Sequence, residues 1–151
     1  MSKKVEFIVI IIILTLLALG LLALLKNKQL VTKEIKIRDM VLQVDIADSP
    51  AEWYKGLSGR ENLAENSGML FIFPAPAVKK FVMREMSFPI DIIWIRDEQI
   101  VKIDENLPID PSSPPKEYSS ETPINYVLEV NANFSKINNI KVGDRIKYFE
   151  K

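Results

Sequence analysis

The chain has 151 residues, with 20 Lys and Arg against 20 Asp and Glu, and it contains no His and no Cys. Those two absences exclude Ser-His-Asp and Cys-His triads, thiol redox chemistry, disulfides and zinc sites of the usual His/Cys kind. From Gln29 onward, sixteen basic residues face nineteen acidic ones, so this part carries a net −3 without a basic stripe, and no nucleic-acid partner is expected.

After a short N-terminal flank (1–6), Phe7–Leu25 is an uncharged apolar run of nineteen residues. As a helix it would span roughly 28 Å, about one hydrocarbon core, which predicts a single transmembrane helix in contact with membrane lipid. The rival is a cleaved signal peptide, with Lys3 and Lys4 before the run and Ala18-Leu19-Gly20 as a small-residue cleavage site. The run continues past that point, which favours the anchor. Counting Lys3 and Lys4 against Lys26, Lys28, Lys33, Lys36 and Arg38 would keep the following domain in the cytoplasm. Large domains translocate largely regardless of such charges.

A polar tether (26–33) leads into a soluble domain (34–151). Ile35 and Ile37, then Leu42, Val44 and Ile46, alternate with polar residues as half-buried strands do. Ser49-Pro50-Ala51-Glu52 forms a capping box with proline at the first helical position, so a short helix should stop at Gly56 or Gly59, with Trp53, Tyr54 and Leu57 covering one end of the barrel. Arg60 follows in the loop, as an anion ligand or as a tie to Asp91 or Glu61.

The densest part of the sequence is Lys55–Ile95. Gly68–Pro74 is a continuous apolar run between chain punctuators, the pattern of a central strand buried on both faces. Phe81–Met86 and Ile90–Ile95 read as two further strands around a bend at Ser87-Phe88-Pro89. Asp91 falls on the same face as Ile93 and Ile95, where an unpaired carboxylate would cost several kcal/mol. Its expected partners are Arg60, Arg84 or backbone amides at the bend.

Beyond the hairpin at Arg96-Asp97-Glu98, Asp104-Glu105-Asn106 offers too few spaced oxygens for calcium and reads as a solvated strand end. Leu107–Pro123 holds five of the nine prolines, which excludes regular structure and suggests a loop rimming a binding surface, with Tyr118 as contact or anchor. Tyr126–Val130 alternates as a strand whose second face carries Glu129. A helical turn around Phe134 and Ile137 and a last strand Arg145–Phe149 follow. Met69, Met83 and Met86 read as core filling rather than copper ligands, and no metal or other cofactor is expected. Asn133-Phe134-Ser135 is the chain's one Asn-x-Ser/Thr glycosylation triplet.

Gly56-Leu57-Ser58-Gly59-Arg60, Gly68–Phe73, Phe81-Val82-Met83, Pro89–Ile93, Tyr118, Tyr126–Val130 and Gly143-Asp144 occur in an order that resembles the bacterial and archaeal domain-of-unknown-function family 192, over about Val41–Ile146. The resemblance implies a compact, mostly β domain that is often exported, and hence a domain outside the cytoplasm. It implies no settled activity. The chain departs from the family pattern at Arg84-Glu85-Met86, where Lys-Asn-Thr is usual. Asp97-Glu98-Gln99 and Asn131-Ala132-Asn133 also stand where glycine is common.

About seven short strands with two small helices argue for an α+β domain built as a small β-barrel or sandwich. The expected role is a ligand-binding or interaction module at the membrane surface, taking a surface polymer or protein, with Arg60, Arg84, Asp91, Tyr118 and Glu129 as its polar contacts. The competing class is a carboxylate-dependent hydrolase, for instance acting on a glycan, with Asp91 and Glu129 as its acid and base. A purely structural tethered domain is the third reading.

Overall fold

The computed structural model describes residues 3–24, 30–112 and 114–148, with side chains in the first helix described as far as residue 18. That helix, α1 (Lys3–Leu24), exposes Phe7, Ile8, Leu14, Leu16 and Leu17 in the part whose side chains are described. Among the described residues no helix is long and apolar enough to cross a membrane. Leu25, the last residue of the expected span, and residues 26–29 of the tether lie outside the described residues.

The domain then runs β1 (Thr32–Ile37), β2 (Met40–Ala47), α2 (Pro50–Lys55), β3 (Ser67–Ala77), β4 (Lys80–Val82), β5 (Ile90–Arg96), β6 (Gln99–Leu107), β7 (Glu117–Ser119), β8 (Ile124–Asn131), α3 (Phe134–Ile137) and β9 (Ile146–Tyr148). It is mostly β. Seven of these strands form one curled sheet in the order β6-β5-β8-β3-β2-β1-β9, which puts the expected central strand, β3, in the middle. β2 and β3 pair in parallel, and α2 with the loop after it supplies the crossover that such a pair requires. The capping box works as read: Ser49 and Glu52 cap α2, and Gly56 closes it at φ 48°.

The sheet curls until its edges meet at one end. Gln99 bridges Arg145, the Ile146 amide donates to the Glu98 carbonyl at 2.8 Å, and the Gly143 amide donates to the Ile100 carbonyl at 2.8 Å. Side chains from all seven strands converge in one interior cluster, among them Ile35, Val44, Leu70, Ile93, Ile100, Leu128 and Ile146. The opposite face carries a second cluster, including Met69, Phe71, Ile92, Trp94 and Val127, covered by Trp53, Leu57, Phe81 and Tyr118. β3, β5 and β8 are therefore buried on both faces, which is why their sequences read as continuous apolar runs.

Three expectations need correction. Phe81–Met86 does not form a sheet strand: only Lys80–Val82 is extended, in a separate two-stranded ribbon with Glu117–Ser119. The proline-rich segment therefore does contain a strand, because the stretch between Pro115 and Pro123 leaves Glu117–Ser119 free to pair. Finally, Trp53 and Leu57 pack against the outer face of the sheet rather than its end, while Tyr54 is 72% exposed.

Candidate functional site

The two carboxylates singled out in the sequence lie on opposite faces. Asp91 stands opposite Val130 in the β5–β8 ladder, whereas Glu129 stands opposite Ile92 there and opposite Met69 in β3. Successive side chains in a strand alternate sides, so Asp91 points into the interior and Glu129 points to the outer face. They cannot flank one scissile bond, and the expected acid and base pair is corrected on that ground.

Asp91 is fully buried. Its Oδ1 accepts the backbone amides of Asn106 (2.8 Å) and Asn133 (2.9 Å), and its Oδ2 accepts the amide of Ser135 (2.9 Å). The expected arginine partners are elsewhere: Arg60 pairs with Asp45 at 2.8 Å, and Arg84 lies 3.8 Å from the Tyr54 ring centroid and donates to the Tyr54 carbonyl. Amides do serve Asp91, but they come from the end of β6 and the start of α3 rather than from the bend before β5. Two of the three, Asn133 and Ser135, are amides at the start of α3, which have no partner within the helix. In the glycosylation triplet, Asn133 is exposed while Ser135 is fully buried.

Glu129 is only 6% exposed, and among the described residues its Oε2 has no hydrogen-bond partner. Burial pushes its carboxyl up to about 8, opposed by the nearby Arg60 guanidinium. The side chain stands at a cavity of about 360 Å³ between the sheet, α2 and β4. Phe71, Phe73, Phe81 and Trp53 form apolar walls, with Phe71 edge-on to Phe81 at 4.9 Å and Trp53 tilted 5.1 Å from Phe73. Lys55, Lys79, Lys80 and Arg84 also line it. Lys79 holds its ammonium 4.2 Å from the Phe73 ring centroid, an orientation that a cation over an aromatic face favours. Gly56 completes the wall. A Cβ there would lie 3.4 Å from Phe71 Cζ and 3.9 Å from Glu129 Oε2, so the positive-φ glycine that ends α2 also leaves the space beside the carboxyl open.

Of the expected contacts, Glu129 and Arg84 line this cavity and Arg60 acts on it through charge, while Asp91 and Tyr118 do not line it. Tyr118 is an anchor, buried in the outer cluster under Lys116, whose ammonium lies 4.9 Å from its ring centroid. Sequence reasoning missed Trp53, Phe73 and Lys79. The available signal was aromatic density on both sides of a helix cap, but nothing local reveals that α2 and β4 face the same strand. Among the described residues no group of three or more His, Cys, Asp or Glu could hold a metal ion. Asp104 is no bare strand end, since its Oδ2 accepts the Trp94 indole N–H at 2.8 Å. Met69 and Met83 are buried core.

The comparisons agree with this architecture. The chain is similar to the crystal structure of a candidate transcription regulator from Sinorhizobium meliloti 1021, with a TM-score of 0.75 and 28% identity over 81% of this chain and 97% of that one. It is also similar to a protein of unknown function from Novosphingobium aromaticivorans DSM 12444, with a TM-score of 0.72 and 28% identity over 78% of this chain and 85% of that one. No curated protein matches it. The model of the family described as DUF192, Uncharacterized ACR, matches residues 31–148, the entire curled sheet with its helices and ribbon, and the chain belongs to that family.

Proposed function

We propose that the domain is a ligand-binding module held at a membrane by its N-terminal helix, and that the Glu129 cavity is its binding site. One observation carries the reading: a buried carboxyl oxygen without a hydrogen-bond partner among the described residues belongs to a side chain that lines a cavity with apolar walls. Leaving such a group unpaired costs roughly 1 to 3 kcal/mol, a cost that a ligand donor would offset. Trp53 lines the cavity and reports on it. The test is to titrate the full chain, in a non-ionic detergent, with polar aromatic fragments and to follow tryptophan emission. A saturable change that Trp53→Phe abolishes supports binding there. Fragments that leave the emission unchanged at every concentration would oppose it.

The membrane part of the proposal rests on Phe7–Leu25, an uninterrupted apolar run, and on the exposed apolar side chains that encircle α1. A helix apolar all round needs either a protein core or lipid about it. We place the domain outside the cytoplasm, following the family's frequent export. External protease applied to intact cells should release it by cutting within residues 26–33, whereas protection until lysis would overturn the localisation. The description of the Sinorhizobium neighbour as a transcription regulator does not transfer easily, since the domain here is net acidic.

A further inference from the structure

The cavity's charges point to a narrower class of ligand, an inference that rests on the binding reading above. We infer that the Glu129 cavity takes a small organic anion: an acidic group among Lys79, Lys80 and Arg84, a flat apolar body against the wall of Trp53 and the phenylalanines, and a hydroxyl or amide donor at Glu129.

Three features support this. First, the lining holds four cations, Lys55, Lys79, Lys80 and Arg84, against the one acidic side chain of Glu129; Lys80 is paired with Glu117 at 2.7 Å, and the other three still leave the site net positive when Glu129 is ionised. This local excess stands out on a domain that is net acidic. Second, two of these cations are already oriented. The Lys79 ammonium lies 4.2 Å from the Phe73 ring centroid, and the Arg84 guanidinium is fixed over Tyr54 while donating to that residue's carbonyl. An anion arriving there meets donors whose ordering cost has largely been met in the free protein. Third, among the described residues Glu129 Oε2 is a buried acceptor without a donor, on a side chain that lines the cavity. A ligand apolar throughout would leave it unsatisfied, and a cation would have to pass the lysines and the arginine.

Protonation fits the same scheme. Around Glu129 stand Arg60 from the loop after α2, Lys55 from α2, Lys79 and Lys80 at β4, and Arg84 beyond it. A carboxyl kept neutral by burial does not repel an anion, and as a neutral acid it can both accept and donate.

Three probes of similar size separate the ideas, used on the full chain in a non-ionic detergent at pH 7 with Trp53 emission as readout. They are 4-hydroxyphenylacetate, which has an anion and a hydroxyl at opposite ends; phenylacetate, which lacks the hydroxyl; and tyramine, which replaces the anion by a cation. The inference expects 4-hydroxyphenylacetate to bind at least about tenfold more tightly than either other probe. The Lys79→Gln/Arg84→Gln double variant, whose folding is checked by circular dichroism, should abolish the advantage over tyramine. Glu129→Met, which removes the acceptor, should abolish the advantage over phenylacetate, and a retained advantage would overturn the assignment of Glu129 as the hydroxyl's partner. Tyramine binding as tightly as 4-hydroxyphenylacetate would overturn the anion class while leaving the cavity a binding site. Absence of any Trp53 response to all three probes would overturn both.

Discussion

The carboxylate of Asp91 accepts the backbone amide of Ser135 at 2.9 Å, joining two fully buried residues 44 positions apart. With Asn106 and Asn133 on its other oxygen, Asp91 ties the end of β6 and the start of α3 to the interior of β5. Asp91→Ala would leave three amides without their acceptor, two of them in partly buried bonds and one in a fully buried one. We expect a loss of about 2 to 4 kcal/mol in denaturant unfolding, with an unchanged denaturant slope. A variant as stable as the parent would show that water replaces the carboxylate.

Glu129 should make the domain lose stability as pH rises. Its carboxyl is raised from 4.5 to about 8, with burial as the main cause. Below the unfolded value both states are protonated and there is no penalty. Between the two values the unfolded chain has released a proton that the folded chain retains, so stability falls with pH and levels off once the folded group ionises near 8. The total is on the order of 3 to 5 kcal/mol. Glu129→Gln removes this slope: the variant should match the parent near pH 4 and exceed it by a few kcal/mol at pH 9, as read from melting temperatures across the range. Parallel curves would refute the buried-acid assignment.

Arg60 offers a separate handle on the same group. Its ion pair with Asp45 is partly exposed, with side chains 32% and 25% accessible, so Arg60→Gln should cost only about 0.5 to 1 kcal/mol. Yet Arg60 is the charge that opposes the upward shift of Glu129. Its removal should move the Glu129 titration midpoint higher still, followed through the side-chain carboxyl carbon by NMR. An unmoved midpoint would mean that Arg60 serves Asp45 alone.

Gly68 of β3 stands opposite Val130 of β8. A Cβ at that position would lie 2.8 Å from the Glu129 carbonyl oxygen and 3.1 Å from Leu128 Cδ1. The first neighbour is ladder backbone and cannot rotate away, so Gly68→Ala should push the two strands apart. We expect destabilisation of about 2 to 4 kcal/mol and a melting temperature lower by roughly 10 °C or more. A melting temperature within a degree or two of the parent's would show that the strands can part without cost.

Much of the sheet was legible because burial leaves local marks. Gly68–Phe73 reads as central since a strand covered on both faces has no polar alternation, and Glu129 was noticeable because it interrupts such a run. Ser49 and Glu52 announced α2 through chemistry confined to one turn. What could not be read were relationships set by the curl. The amides that hold Asp91 arrive from residues 106, 133 and 135, and the cavity joins α2 to β4 across β3 and β8. Arginine was a reasonable partner for a buried carboxylate by residue type, but backbone donors have no signature in a sequence. Phe81 was misplaced for a related reason: an apolar residue covering a sheet looks the same as one within it.

The meeting of β6 and β9 has a consequence for how the protein is made. β9 pairs with β1, so Ile146 must find Ile37 across more than a hundred intervening residues. Until the ribosome has released residues 146–148, β1 and β6 both present unpaired backbone, and β1 has already left the exit tunnel close behind an apolar helix. Such edges recruit strands from other chains. The nascent domain therefore stays open to mispairing for nearly the whole of its synthesis, and a stall or a truncation before Arg145 would release a chain with two adhesive edges instead of a closed one.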